Sequence, residues 1–97
     1  MKTLQDIKTE LIGHKPFLFD KYKIQQLGIY GSFLRNEQTM DSDLDILIDY
    51  SEAPSLVTLI EIQQYLSAQL GITVDLVTKR GLKSTFKSQI LSDIMYI

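Results

Sequence analysis

Cysteine is absent from these 97 residues, which excludes disulfide bonds and thiolate metal sites. Tryptophan is missing too, proline occurs twice and histidine once, so a zinc centre built on nitrogen and sulfur has almost no donors. Neither sign of charge dominates: ten basic and twelve acidic side chains leave a formal net charge of −2. That balance lacks the basic footprint of a chain that tracks a nucleic-acid backbone, so nucleic acid is not an expected partner. No apolar run approaches the roughly 20 residues that span a bilayer. The start, Met1-Lys2-Thr3-Leu4-Gln5-Asp6, has no signal-peptide core. The expectation is a soluble, cytoplasmic, single-domain protein over residues 1–97, of a length that supports one modest core.

What is present concentrates in one stretch. Tyr30-Gly31-Ser32-Phe33-Leu34-Arg35 reads as the end of a strand, a tight Gly-Ser turn and a short helical start. Gly31 lets the backbone turn sharply and leaves room for a bulky anion. Ser32 suits a helix cap, and the free N–H groups there face any phosphate nearby. Downstream, Ser42-Asp43-Leu44-Asp45-Ile46-Leu47-Ile48 places two carboxylates two residues apart on an extended segment, so both leave the same face.

The rest of the chain supplies a frame. Thr3 to Ile12 predicts a helix, with Leu4, Ile7 and Leu11 at helical spacing, Thr3 and Asp6 as a capping pair and Gly13 as its end. Pro16 then opens a short turn or helix whose Phe17, Phe19 and Tyr22 pack the sheet edge. His14 reads as a surface residue. Ile24–Tyr30 is a first strand, 36–42 a loop, and Leu44–Tyr50 a second strand buried on both faces at its centre. Ile46 and Ile48 are expected on the face of the acids. Pro54 or Ser55 opens a helix ending at Gly71, with Leu56, Leu59, Ile60, Ile62, Leu66 and Leu70 as its apolar stripe. Ile72–Val77 is a third strand with Asp75 at its centre. Lys79-Arg80-Gly81 turns. Ser84–Ser92 forms a last helix burying Phe86, Ile90 and Leu91, and Met95–Ile97 ends the chain as a short strand or helix tail. The long helix between strands two and three predicts a parallel pair, and the shorter link before it leaves an antiparallel pair open. The fold class is α/β (α+β): a small mixed sheet of three or four strands with helices mainly on one face.

Three aspartates sit where carboxylates are costly. Asp43, Asp45 and Asp75 lie in or beside runs of Ile, Leu and Val, and an ionised carboxylate there needs a pair or a bound cation. Arg35 alone is close in sequence, so the chain cannot neutralise all three. Oxygen-only donors favour Mg²⁺ or Mn²⁺. Two such ions about 4 Å apart clamp an in-line displacement at phosphorus. Asp43 and Asp45 would hold both, and Asp75 would complete the second site and take the proton of the incoming hydroxyl. Gly31 and Ser32 would hold the β- and γ-phosphates, so that pyrophosphate leaves and a nucleoside monophosphate moves. Arg35 reads equally as a phosphate contact, a neutralising charge or a brace for the loop. Asp49 reads as solvated, Ser42 as a cap for Asp43 or an ordinary loop residue, and Lys79, Arg80, Lys83 and Lys87 as a solvated basic face or as a contact for the triphosphate or an acidic partner.

Gly31-Ser32, ten intervening residues and Asp43-Leu44-Asp45 resemble the signature of the polymerase-β-like nucleotidyltransferase superfamily. Gly-Ser-Phe-Leu-Arg followed by Ser-Asp-Leu-Asp-Ile-Leu-Ile is similar to its minimal nucleotidyltransferases, and Asp75 in Val-Asp-Leu-Val matches the family's third carboxylate. Asn36 stands where the family has Gly; Asn tolerates left-handed angles better than most residues. The resemblance implies transfer of AMP from ATP, with Mg²⁺, to a tyrosine of a helical HEPN ribonuclease, for which the chain acts as the antitoxin of a type VII toxin–antitoxin pair. The competing reading is an antitoxin with a vestigial site that neutralises its partner by binding alone. With no room for an acceptor-binding domain, the acceptor is met by a shallow surface, a second copy or a partner protein.

Overall fold

A computed structural model describes residues 2–97. Its elements run α1 (Leu4–Tyr22), β1 (Ile24–Tyr30), β2 (Leu44–Tyr50), α2 (Leu56–Leu70), β3 (Val74–Thr78), a 3₁₀ turn (Lys79–Gly81), α3 (Ser84–Asp93) and β4 (Met95–Tyr96). One mixed sheet has the order β3-β2-β1-β4. β1 pairs antiparallel with both β2 and β4, and β2 pairs parallel with β3 through the α2 crossover. The strand directions and fold class expected from connection lengths are those observed. Among the described residues, no helix is long and apolar enough to cross a membrane.

The N-terminal half of α1 starts as expected and then does not stop. Thr3 Oγ1 accepts from the Asp6 N–H while Asp6 accepts from the Thr3 N–H, a reciprocal capping box. The helix continues through Gly13 and Pro16 to a left-handed cap at Lys23, whose N–H donates to Phe19 O at 3.0 Å. Pro16 has no N–H for the Ile12 carbonyl. Ile12 is half exposed, so water can take that carbonyl. Ile7, Leu11, Leu18 and Tyr22 fall on one stripe and are buried, so continuing the helix sinks two more large side chains at about 1.5–3 kcal/mol each. Phe17 and Phe19, expected to pack the sheet edge, are exposed; of that trio only Tyr22 is buried.

α1 and α2 cover one face of the sheet. That face gathers Leu27 and Ile29 of β1, Leu44, Ile46 and Ile48 of β2 and Val74 of β3 into one core with Ile62, Leu66 and Leu70 of α2. The even-numbered residues of β2 therefore face the helices. Side chains alternate along a strand, so Asp45, Leu47 and Asp49 take the other face, and Ile46 and Ile48 do not share the acids' side as expected. Leu47 is fully buried there, which accounts for the continuous apolar run. Gly28 permits this second layer, since a Cβ on it would meet Ile94 Cδ1 at 2.5 Å.

α2 is capped at Ser55 and ended by Gly71 at φ 67°, as expected. Its stripe is only half used: Ile62, Leu66 and Leu70 are buried, whereas Leu56 is 73% and Ile60 47% exposed. α3 likewise buries none of its residues fully, and Phe86, expected inside, is 56% exposed. β3 starts two residues later than expected, which puts Asp75 near its beginning rather than its centre.

Candidate active site

β1 ends at Tyr30, and Gly31 turns the chain at φ 82°, in the left-handed region that only glycine enters freely. Space adds a second reason for glycine: a Cβ here would run into Asp45 Oδ2. The backbone of the turn is thus laid against the β2 carboxylate. Residues 32–36 form a turn rather than the helix start expected, closed by Arg35 N–H to Gly31 O at 3.2 Å and Glu37 N–H to Ser32 O at 2.9 Å. The N–H groups of Ser32, Phe33 and Leu34 meet no acceptor among the described residues and are open to an anion. Asn36 sits at φ 59°, the left-handed conformation for which asparagine was singled out.

The aspartates come from two neighbouring strands. Asp45 is the register partner of Asp75 on β3 and of Tyr30 on β1, so all three side chains rise from one face. Asp43, two residues before Asp45, shares that face. Its position is set by the adjacent bond from Leu44 N–H to Thr73 O at 2.9 Å, which ties the start of β2 to the approach of β3. Burial raises the Asp45 pKa first; the charges of Asp75 and Asp43 and a hydrogen bond with the Asp75 carboxyl push the same way, against a lowering by Arg35. The Tyr30 hydroxyl is pushed up to about 12 by burial and by Asp45 and Asp75. The site is therefore a pocket of negative charge that Arg35 compensates only in part.

Among the described residues, none of the three aspartates is in a salt bridge. Nor do any three His, Cys, Asp or Glu side chains close into a ready-made metal cage. Asp43 and Asp75 are exposed and Asp45 is half-buried. What is assembled is a carboxyl pair with a third carboxylate beside it, and such an all-oxygen donor set fits Mg²⁺ or Mn²⁺. A cavity of about 730 Å³ opens beside Asp43, with Phe33, Met40, Ile72 and Thr73 in its wall. A second, more apolar groove of about 500 Å³ lies between α1 and β1, lined by Ile12, Phe19 and Ile24 and away from the acids.

The other residues singled out take supporting places. Arg35 is held by Glu37 at 3.4 Å and still lowers Asp45 through its charge. Ser42 Oγ accepts from the Thr39 N–H at 2.8 Å and so braces the loop instead of capping Asp43. Asp49 is not solvated but paired with Arg80 at 3.2 Å. Arg80 also donates to Tyr50 O and lies over the Tyr50 ring. Lys79 follows Asp75 by four residues, about 13 Å along the strand, and rests over the Tyr96 ring. His14 is half-buried and bonded to Tyr65 Oη at 3.0 Å, not free on the surface. Tyr30 is the neighbour that sequence reasoning passed over, because pairing across two strands is invisible until the register is known.

Residues 11–97 match the family described as nucleotidyltransferase domain. A Methanocaldococcus jannaschii protein, MJ0126, is 51% identical over 98 residues, all of both chains, and bears a provisional name as a protein adenylyltransferase. The protein adenylyltransferase MntA of Thermococcus cleftensis is 42% identical over 97 residues, 100% of this chain and 98% of that one. Among solved structures, a toxin–antitoxin complex with AMP-PNP matches with a TM-score of 0.78 at 24% identity, over 92% of this chain and 70% of that one. A tri-AMPylated Shewanella oneidensis HEPN toxin in complex with MNT antitoxin matches with a TM-score of 0.70 at 21% identity, over 93% and 70%. The two structures share the fold.

Proposed function

The chain belongs to the nucleotidyltransferase domain family, and from that premise we propose that it transfers AMP from ATP to a tyrosine hydroxyl of a HEPN-type toxin and thereby acts as its antitoxin. The observation that carries the reading is the pairing of Asp45 with Asp75 across β2 and β3, with the Gly31 turn packed against Asp45. The names of the relatives and the complexes formed by the structural neighbours support the choice of nucleotide and partner. Residues 1–97 act as one catalytic domain, inside the cell where ATP is supplied.

Asp43, Asp45 and Asp75 would hold Mg²⁺. When bound, it neutralises charge on the triphosphate and lowers the pKa of an oxygen it contacts. The chain's own groups do the rest. The open N–H groups from Ser32 to Leu34, with the Ser32 hydroxyl, bind the β- and γ-phosphates. Arg35 adds its charge at the rim. The acceptor oxygen forms its bond to the α-phosphorus as the bond from that phosphorus to the β-bridging oxygen breaks; pyrophosphate departs, and the acceptor's proton passes to an Asp75 carboxylate oxygen.

The test is incubation with a purified HEPN-type toxin, with α-labelled ATP and Mg²⁺, followed by mass spectrometry. The partner is expected to gain AMP on a tyrosine, and Asp43→Asn or Asp45→Asn to abolish the gain. A partner neutralised without a change of mass would establish occlusion instead.

A further inference from the structure

β3 is an edge strand of five residues, paired on one side only. Successive N–H groups of a strand point to opposite sides. Those of Val74 and Leu76 point away from β2, where an edge strand normally meets water or another chain. Here they meet α2. The Val74 N–H donates to Ser67 Oγ at 2.9 Å, and the Leu76 N–H donates to Gln63 Oε1 at 3.1 Å. The spacing explains the fit: four helical residues rise about 6 Å, and two strand residues about 6.6 Å. Two side chains one turn apart therefore reach two outward N–H groups, and α2 serves β3 as a substitute for its missing neighbour strand.

The residue between those two anchors is Asp75. It is exposed, and no cationic side chain among the described residues holds its carboxylate. Besides its carboxyl contact with Asp45, what fixes it there among the described residues is its register with β2 and the backbone bonds on either side of it. We propose that Gln63 and Ser67 are positioning residues for the third carboxylate: by pinning the free edge of β3 they set the distance between Asp75 and Asp45 that a divalent cation requires. The proposal rests on the assignment of the three aspartates to the metal. Neither side chain touches substrate, and both act through the β3 backbone.

The experiment is a Mn²⁺ titration followed by electron paramagnetic resonance on the full chain, with amide exchange read in parallel. Gln63→Met keeps the length of the side chain and drops its acceptor oxygen; Ser67→Ala drops the hydroxyl. Each is expected to weaken Mn²⁺ binding about tenfold, as loss of outer-shell support does at other metal sites, and to speed exchange of the Asp75 N–H. Ser67→Thr, which restores the acceptor, is expected to return both readings to those of the unaltered chain. Gln64→Ala, on an exposed face of the same helix, serves as the control and is expected to change neither. Folded Gln63→Met and Ser67→Ala variants that bind Mn²⁺ as the unaltered chain does would overturn the proposal and leave the aspartate assignment standing. An unaltered chain that fails to bind Mn²⁺ would overturn both.

Discussion

Asp45 has more negative neighbours than positive ones, and that makes it a source of instability in the folded protein. Its pKa is raised by burial and then by Asp75 and Asp43. The folded form therefore holds a proton that the unfolded chain has already released, and stability falls as pH climbs from the ordinary aspartate value of about 3.9 through the raised one. Because the carboxyl is only half-buried, solvent screening keeps the effect modest. Asp45→Asn is expected to flatten that slope and to melt above the unaltered chain at neutral pH, while abolishing AMP transfer. Melting temperatures of both proteins across the acid range provide the check, and parallel curves would contradict the reading. At Gly31, alanine would pay for φ 82° and for a Cβ lodged against Asp45. The backbone alone costs about 1–2 kcal/mol, so Gly31→Ala is expected to lower the denaturant midpoint and nucleotide affinity together. Asn36 shows what single residues reveal without a structure. Its tolerance of left-handed angles is a property of its own side chain, and φ 59° is where it is found.

Elements were legible where their signals are local and less so where burial decides. Thr3 with Asp6, Ser55 and Gly71 mark ends through bonds to their own neighbours, and those ends are where they were expected. Gly13 and Pro16 also look like ends, yet α1 passes through both, because Leu18 and Tyr22 continue the buried stripe of Ile7 and Leu11. Packing against a sheet that the helix has not yet met outweighs one lost hydrogen bond. It follows that Pro16 is tolerated rather than required. Pro16→Ala restores the N–H to Ile12 O and removes a ring clash worth up to about 3 kcal/mol. A gain of about 1–3 kcal/mol in unfolding free energy is expected from urea titration, and a loss would mean that the proline sets a bend the core needs. The edge of β3 was illegible for the same reason as α1. Gln63 and Ser67 look like ordinary polar positions of an amphipathic helix until the strand they cap is placed beside them.

At the scale of the whole molecule, one sheet separates two kinds of work. The face under α1 and α2 holds the core, and the other carries Asp45, Asp75 and Tyr30 at one end and Asp49, Arg80 and Lys79 at the other. That Asp45 and Asp75 come from neighbouring strands, and the strand directions themselves, were readable because spacing and connection length constrain them. Which apolar residues lie inside was not, since a stripe of hydrophobic residues on a helix says only that one face is apolar. Leu56 and Leu66 belong to the same stripe of α2, but Leu66 is fully buried and Leu56 is 73% exposed. The two should therefore respond very differently to truncation. Leu66→Ala removes a side chain from the centre of the core and is expected to cost about 2–5 kcal/mol, a large share of the 5–15 kcal/mol typical of a domain. Asp45 and Asp75 depend on that core for their register, so the Mn²⁺ binding proposed for them should fall with the folded fraction. Leu56→Ala is expected to stay within about 0.5 kcal/mol and to leave metal binding intact. Urea unfolding of both variants, with Mn²⁺ binding measured at one fixed temperature, separates the cases. Comparable losses in the two would mean that the N-terminal end of α2 is covered after all, and that its exposed Leu56, Val57 and Ile60 are part of a buried surface.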